Sequence, residues 1–159
     1  MTSAISIQFQ KAKMLQIIKE VGVKLSTRSR YGTRLMLELA KRYHNGFVQL
    51  SEISRNQLIS LKYLEQIVIP LKRAQYVKSA RGAGGGYMLA KPPDEIKVGE
   101  IVALLEGGKD IIGCTSDPEI CELHQDCLTR NLWKEGARAI FEKLNSVSLS
   151  DLVRSAAKP

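Results

Sequence analysis

A glycine-rich hexapeptide between two short β-prone runs is the feature that most constrains the fold. Residues 81–86 read Arg-Gly-Ala-Gly-Gly-Gly, and residues 76–80 and 87–90 flank them. Glycine at such a position permits the positive φ angles of hairpin turns. A nucleotide-binding loop would instead open a helix and end in Lys-Ser or Lys-Thr, whereas this run leads into Tyr87 and then a pair of prolines. We therefore predict a β-hairpin with a glycine-rich tip.

Three segments before the hairpin carry apolar side chains every three to four positions, which predicts helices over residues 29–43, 51–56 and 60–71. Ser51 and Ser60 are the expected N-caps of the second and third helices. Pro70 lacks a backbone donor and should kink or shorten the last turn of the third. Two short helices joined by a tight turn make a helix-turn-helix, and the hairpin completes a winged helix.

The chain beyond the hairpin is expected to be helical. Residues 98–106 should form a helix that Gly107 and Gly108 stop. A long apolar stripe on residues 128–145, which includes Trp133, predicts a helix that needs a partner surface. The protein's own core could supply that surface, but the winged helix is already small and closed. We therefore expect a second copy of the chain to supply it, which makes the protein a homodimer. The fold class is mainly α with a small β-hairpin wing: a winged helix-turn-helix plus a long C-terminal dimerisation helix.

The charge distribution favours a nucleic acid partner for the front half of the chain. The formal net charge is +8, and residues 23–93 contain 13 Lys and Arg against 3 Asp and Glu, whereas residues 94–159 contain 8 against 12. A basic front half is typical of a protein that contacts phosphates. No apolar run approaches the roughly 20 residues of a membrane span, and no signal peptide is recognisable. We expect a soluble, cytoplasmic protein without a membrane partner.

The third helix is the expected reader of double-stranded DNA. The second helix of a helix-turn-helix enters the major groove with its N-terminal residues at the base edges. The candidates at those positions are Ser60, Lys62, Tyr63 and Gln66. Lys62 suits guanine or phosphate, and the amide of Gln66 suits adenine. Glu65 accepts from a cytosine amino group or discriminates against wrong sites, with a solvated glutamate as the alternative.

Arg81 at the tip of the hairpin is a second candidate for DNA contact. A narrow minor groove concentrates negative potential and attracts inserted arginines. The flanking glycines leave room for such an approach, and the alternative is an ordinary exposed arginine. We therefore expect the wing to contact DNA through Arg81.

The three cysteines of the chain lie together in one polar loop. Six residues separate Cys114 from Cys121, and five separate Cys121 from Cys127. Zinc sites use pairs two to four residues apart, whereas iron-sulfur clusters take cysteines from wider loops. Free cysteines that serve as small apolar side chains are the alternative. We predict that the three cysteines ligate an iron-sulfur cluster in a reducing compartment. His124 is the best local candidate for the fourth ligand, and the alternatives are an acidic residue of the loop or a residue of a second subunit.

Five motifs together resemble the Rrf2 family of winged-helix regulators, and in particular its iron-sulfur cluster regulators. They are KLSTRSRYGTR, SLKYLEQI, RGAGGGYMLAKP, VGEIVALLEG and the cysteine loop running into CLTRNLW. The resemblance covers residues 23 to about 153. It implies a dimeric repressor or activator with a 2Fe-2S cluster rather than a 4Fe-4S cluster, acting at a palindromic promoter site on genes of cluster assembly, iron, sulfur or redox metabolism.

The resemblance also implies roles for individual residues. The cluster ligands fall on Cys114, Cys121 and Cys127, the base-reading positions on Ser60, Lys62 and Glu65, the wing arginine on Arg81, and contacts to the DNA backbone on Arg28 and Tyr31. Two positions depart from the pattern. Arg130 stands where these cluster regulators have a histidine ligand, and Arg30 stands where nitric oxide sensors have an acidic residue. The fourth ligand is therefore open, and so is the cluster type.

These features divide the chain into four parts. They are an N-terminal extension that precedes the family's usual start (1–22), a DNA-binding winged helix-turn-helix (23–107), a cluster-binding loop (108–127) and a dimerisation helix with its tail (128–159). No set of residues typical of a catalytic site stands out, so we do not expect an enzyme. We expect a regulator, and specifically a repressor that senses iron-sulfur cluster, iron or redox status. Two alternatives are an electron carrier, which would leave the basic winged helix unexplained, and a cluster-free regulator that responds to thiol oxidation or controls cysteine metabolism.

Overall fold

The computed structural model describes residues 25–156. The predicted extension over residues 1–22 lies outside the described residues. We number the helices and strands in chain order as α1 (Thr27–Lys41), α2 (Leu50–Gln57), α3 (Leu61–Arg73), β1 (Val77–Ala80), β2 (Gly86–Leu89), α4 (Val98–Glu106), α5 (Gly113–Ser116), α6 (Arg130–Asn145) and α7 (Leu149–Ala156), with a 3-10 turn at Pro118–Ile120.

Helix α1 is the centre of the domain. It packs on α4, α7, α3 and the hairpin, and its side chains Leu35, Met36 and Leu39 are almost completely buried. Gly32 lies on the face toward α4, where a Cβ would strike the Leu105 side chain. The first helix and α4 therefore approach closely because position 32 has no side chain.

The hairpin is antiparallel and is joined to the segment before α2. Val77 pairs with Leu89 and Ala80 with Gly86. The backbone of Val48 both donates to and accepts from Tyr87, each at 2.8 Å. This extra bridge fastens the second strand of the wing to the helix-turn-helix.

Helix α6 has a buried half and an exposed half, which corrects one prediction. We expected a second copy of the chain, rather than the protein's own core, to cover its apolar stripe, but Ala137 and Phe141 are buried, and Phe141 packs with Val98 and Val102 of α4 in the same chain. Toward the N-terminal end, Leu132 and Trp133 remain 59% and 38% exposed. Only the first half of the stripe is left for a partner.

Several predicted boundaries hold and others shift. Helix α4 has the predicted bounds and ends on Gly107 at φ 84°, which is the left-handed conformation that favours glycine. Helix α1 starts two residues early because Ser26, and not a later residue, caps it. Ser51 is not an N-cap; Gln49 occupies that position. Pro70 does not shorten α3, which continues to Arg73.

Three further findings complete the comparison with the sequence. The long C-terminal helix begins at Arg130, two residues later than predicted. Helix α7 was not predicted; Ser148 and Asp151 cap it reciprocally, with the Ser148 backbone donating to the Asp151 carboxylate at 2.9 Å and the Asp151 backbone donating back to the Ser148 hydroxyl at 3.1 Å. Among the helices between residues 25 and 156, none combines the length and the apolar character needed to cross a bilayer.

Candidate DNA interface and cysteine loop

The recognition helix α3 presents a polar edge from a firmly packed base. The Ser60 side chain accepts a hydrogen bond from the backbone of Tyr63 at 3.3 Å, which caps the helix as predicted. Leu64 and Ile67 are completely buried on the inner face. The inner face therefore fixes the orientation of the outer one.

The outer face of α3 carries the predicted base-reading side chains. Ser60, Lys62, Glu65 and Gln66 are exposed. Within the described residues neither Lys62 nor Glu65 takes part in an ion pair. The structure thus leaves both charges available to solvent or to a partner.

Tyr63 departs from its predicted outward position. It is half-buried and packs against the hydrophobic core. Its ring meets the edge of the Tyr31 ring with centroids 6.0 Å apart. The guanidinium of Arg34 lies over the Tyr31 ring, 5.4 Å from its centroid. Tyr31 and Tyr63 therefore join the start of α1 to the start of α3, and any contact of theirs with DNA would involve the hydroxyl ends.

The turn between α2 and α3 holds a residue that the sequence did not single out. Leu58 has φ 52° and is 90% exposed. Arg34 fixes the turn by donating to the Gln57 backbone carbonyl at 2.5 Å and to the Gln57 side chain at 2.8 Å. A glycine or asparagine would have marked this turn in the sequence, and leucine gives no such signal.

The N-terminus of α1 is tied to the C-terminus of α4. The Ser26 hydroxyl caps α1 by accepting from the backbone of Ser29 at 3.2 Å. The carboxylate of Glu106 accepts from the Ser26 backbone at 2.7 Å and from the Ser29 hydroxyl. Burial alone would raise the pKa of Glu106. The hydrogen bonds from Ser29 and Ser26 lower it by more than burial raises it, so the net pKa lies below its ordinary value. Arg28 is exposed in the same first turn of α1.

The wing presents Arg81 at its tip, as predicted. Arg81 is exposed, and Gly82 follows with φ 101°. Gly86 has φ 147°, and a Cβ there would lie 2.5 Å from the Val48 carbonyl oxygen. These two positions require glycine, one for the turn and one for the close approach of the strand.

The cysteine loop runs from α4 to α6. Cys114 lies in α5, Cys121 directly follows the 3-10 turn, and Cys127 lies three residues before α6. All three thiols are free and half-buried. In the part of the chain that the structure describes, no three His, Cys, Asp or Glu side chains are gathered closely enough to hold a metal ion.

The donor chemistry of this loop fits an iron-sulfur cluster, because such clusters take thiolate ligands. The loop would have to close to bring the three sulfur atoms to one centre. The ring Nδ1 of His124 lies 3.2 Å from the Cys121 carbonyl oxygen. Arg130 donates to the His124 backbone carbonyl at 3.2 Å. His124 and Arg130 therefore stabilise the second half of the loop.

Cys127 has a polar neighbour that the sequence reading overlooked. Its sulfur lies 3.4 Å from the Thr129 hydroxyl. Hydrogen bonds from the side chain and backbone of Thr129 lower the pKa of Cys127 below its usual range, and Arg130 adds to the effect. The thiolate form is therefore favoured at this position, which suits metal ligation and nucleophilic chemistry alike.

Comparison with known proteins assigns the family. The family model Rrf2, an iron-dependent transcriptional regulator, matches residues 25–155. The chain belongs to the Rrf2 family. It is 42% identical over 134 residues to protein rrf2 of Nitratidesulfovibrio vulgaris, which covers 84% of this chain and 89% of the relative.

Two solved structures of the family share the fold. CymR, the global cysteine regulator of B. subtilis, matches with a TM-score of 0.69 and 40% identity over 83% of this chain and 97% of that chain. IscR of T. potens matches with a TM-score of 0.70 and 36% identity over 85% of this chain and 89% of that chain. The predicted family and winged-helix fold are thereby confirmed.

Family membership establishes the general activity. Rrf2-family proteins are DNA-binding transcriptional regulators and not enzymes, and they are typically dimeric. The relatives include both IscR and the cysteine regulator CymR. Membership therefore establishes transcriptional regulation, and the nature of the sensed signal belongs to the proposal that follows.

Proposed function

We propose that this Rrf2-family protein is a homodimeric repressor that senses iron-sulfur cluster, iron or redox status through Cys114, Cys121 and Cys127. The observation that carries the proposal is the position of these cysteines in the chain. All three lie in the one loop that connects α4, which packs on the DNA-binding helices, to α6. A conformational change in that loop would therefore act on both α4 and α6.

The proposed DNA contacts follow from the exposed side chains of the winged helix. Lys62, Glu65 and Gln66 extend from α3 toward the major groove, and Ser60 stands at its entrance. Arg81 reaches the minor groove from the tip of the wing. Arg28 and the hydroxyls of Tyr31 and Tyr63 complete the set at the DNA backbone. The exposure of the four polar residues on α3 and of Arg81 supports these roles.

The loop cysteines are the proposed ligands of a 2Fe-2S cluster. When bound, such a cluster supplies a redox-active centre that is lost or oxidised as conditions change. Cys127 contributes a thiol whose pKa already lies below its usual range because of Thr129 and Arg130. His124 remains the proposed local candidate for the fourth ligand, since Arg130 cannot take that role.

A second copy of the chain is the proposed partner of the exposed half of α6. Leu132 and Trp133 of α6 are 59% and 38% exposed, and Leu128, two residues before the helix, is 98% exposed. The chain's own core leaves these apolar side chains uncovered. Two winged helices related by a twofold axis would read a palindromic site. The proposed dimer interface therefore lies on the same helix that the cysteine loop enters.

A cluster-free regulator that responds to thiol chemistry is the second candidate. Two observations favour it. The three thiols are not gathered in the described part of the chain. Hydrogen bonds from Thr129 lower the pKa of Cys127, which increases the fraction of thiolate, the form that oxidants attack. The similarity to CymR as well as to IscR agrees with either reading.

Anaerobic purification separates the two candidates. The cluster proposal predicts a coloured protein with about two irons and two sulfides per chain. It further predicts that Cys121→Ala loses both colour and iron, whereas the matched control Ser116→Ala, in the same loop, keeps them. A colourless, iron-free wild-type protein whose DNA binding changes with thiol oxidation would establish the second candidate instead.

DNA binding then tests the sensing role. Duplexes selected in vitro with the full-length protein serve as probes, and their affinity is measured with and without the cluster. The proposal predicts different affinities for the two forms on at least one class of selected site, because a ligand shifts a two-state equilibrium only through differential affinity. Equal affinity for every selected site would refute cluster sensing.

A further inference from the structure

Glu106 connects two regions of the chain that are far apart in sequence. It is the last residue of α4, and its carboxylate accepts from the Ser26 backbone and from the Ser29 hydroxyl at the start of α1. Ser29 is completely buried. The first turn of α1 is therefore held by a residue 80 positions further along the chain.

The contact with α1 explains why a carboxylate stands at the C-terminal end of α4. A carboxylate at the C-terminus of a helix interacts unfavourably with the helix dipole, whereas one at an N-terminus is stabilised. Glu106 ends α4 yet accepts a hydrogen bond from the backbone amide of Ser26, the N-cap residue of α1. Its pKa lies below the ordinary value because the hydrogen bonds from Ser29 and Ser26 outweigh the effect of burial. The ionised side chain thus stabilises α1 at the expense of its own helix.

The two sides of this contact lead to the two functional regions. On the α1 side, Arg28 is exposed between Ser26 and Ser29. On the α4 side, Gly107 and Gly108 follow Glu106 at once, and both donate to the Ala103 carbonyl, at 3.1 and 2.9 Å. A Cβ at either glycine would meet no atom within 4 Å. The chain therefore turns away from α4 through Gly107 and Gly108 and continues into the cysteine loop.

We propose that Glu106 is a positioning residue that holds Arg28 for phosphate contact and transmits the state of the cysteine loop to the DNA-binding end of α1. The first half of this proposal depends only on DNA binding. The second half rests on the proposed sensing function. The hydrogen bonds to Ser26 and Ser29 are the physical link in both.

The sign of the effect of Glu106→Ala distinguishes positioning from general electrostatics. Removal of one negative charge from each protomer should strengthen DNA binding if only net charge matters. The proposal predicts the opposite, a loss of about tenfold in affinity for an in-vitro selected duplex. Glu95→Ala is the matched control, because Glu95 is exposed and its loss changes the charge equally. This control should bind as tightly as wild type or more tightly.

A conservative variant and a partner variant strengthen the test. Glu106→Gln keeps a side-chain oxygen that can accept both hydrogen bonds, and it should restore most of the affinity. Ser29→Ala removes the hydroxyl donor and should weaken binding in the same direction as Glu106→Ala. Circular dichroism establishes that each variant is folded, and Ser29→Ala carries the test if Glu106→Ala is not.

The salt dependence of binding reports on Arg28 directly. Each lost phosphate contact reduces the slope of log K against log salt by about one. Arg28→Ala and Glu106→Ala should each reduce the slope by about one per protomer, and the double variant should reduce it no further. A Glu106→Ala protein with wild-type affinity and an unchanged slope would overturn the positioning role.

Comparison of the two loop states tests the transmission. If wild type shows different affinities with and without cluster, Glu106→Ala should bring the two affinities together, whereas Glu95→Ala should keep them apart. An unchanged difference in Glu106→Ala would overturn transmission and leave the sensing proposal intact. If wild type shows no difference, both sensing and transmission are refuted, while the salt slope still decides the positioning role.

Discussion

Tyr31 and Tyr63 meet edge to face, with their ring centroids 6.0 Å apart and their planes at 82°. This pair joins α1 to the first turn of the recognition helix, and both rings pack on the hydrophobic core. The orientation of α3 against the rest of the domain therefore depends in part on an aromatic contact at the end that we propose faces DNA. Its contribution to stability can be measured separately from any contact with DNA.

The first prediction concerns this aromatic pair. Such pairs contribute about 0.5–1.5 kcal/mol beyond the burial of their area. Tyr31→Leu and Tyr63→Leu should each lower the free energy of unfolding, and the double variant should lose less than the two single losses added together. Urea denaturation of all four proteins gives the coupling energy. Strictly additive losses would show that the two rings do not stabilise each other.

The second prediction concerns the exposed turn residue Leu58. A side chain at φ 52° costs about 1 kcal/mol relative to glycine because Cβ crowds the following carbonyl. Leu58→Gly should therefore raise the free energy of unfolding, although glycine also gains freedom in the unfolded chain. Leu58→Ala is the matched control: it keeps the Cβ and should leave stability nearly unchanged. Equal stabilities of the glycine and alanine variants would contradict the proposed strain.

The third prediction concerns acid stability and Asp151. The backbone and hydroxyl of Ser148 and the side chain of Arg154 hold the pKa of this carboxyl well below its usual range. Because the folded pKa is lower than the unfolded one, the contribution is complete at neutral pH and is lost as pH falls below the ordinary value of 3.8. Wild type should therefore lose more stability than Asp151→Asn as the pH falls from about 5 to about 2.

Thermal unfolding across this pH range checks the prediction. Asp94→Asn is a suitable control, since Asp94 is exposed and its loss removes a carboxylate that does not cap α7. The pH profile of this control should follow that of wild type. Parallel profiles for wild type and Asp151→Asn would show that the cap does not depend on ionisation.

The fourth prediction concerns the reactivity of Cys127 in metal-free, reduced protein. Thr129 lowers the pKa of Cys127, so a larger fraction of this thiol is ionised at neutral pH, and the thiolate is the form that reacts. Thr129→Ala should slow alkylation of Cys127 by iodoacetamide about two- to fivefold, whereas Thr129→Ser keeps the hydroxyl and should react as wild type does. Mass spectrometry of peptides resolves the site, and identical rates in all three proteins would refute the role of Thr129.

Local sequence signals predicted the winged helix well. Ser60 caps α3 as expected, and Gly107 ends α4 at the predicted residue, because a cap is set by a few neighbouring residues. The Ser148–Asp151 cap of α7 belongs to the same class of local signal, and a search for paired caps would have found that helix. Leu58 was missed because leucine has no preference for the left-handed conformation that it adopts here, at φ 52°.

Contacts between distant residues explain most of the remaining differences. Glu106 lies 80 residues from Ser26, and no pattern along the chain indicates that the two meet. The same holds for Phe141. Its apolar stripe could be covered by the protein's own core or by a second copy of the chain, and its burial against Val98 and Val102 shows that the core covers this part. The periodicity of a helix shows that one face is apolar, but it does not show what covers that face.

The double backbone bridge between Val48 and Tyr87 sets the position of the wing relative to the helix-turn-helix. In the proposed complex with DNA, this connection therefore determines how far Arg81 lies from α3 within one copy of the chain. One base pair inserted between the bases that α3 and Arg81 are proposed to contact should therefore weaken binding to a selected duplex, because the two contacts would no longer fit together. The spacing between the half-sites of the proposed palindrome is a separate matter, since it depends on the proposed contact between two copies of the chain.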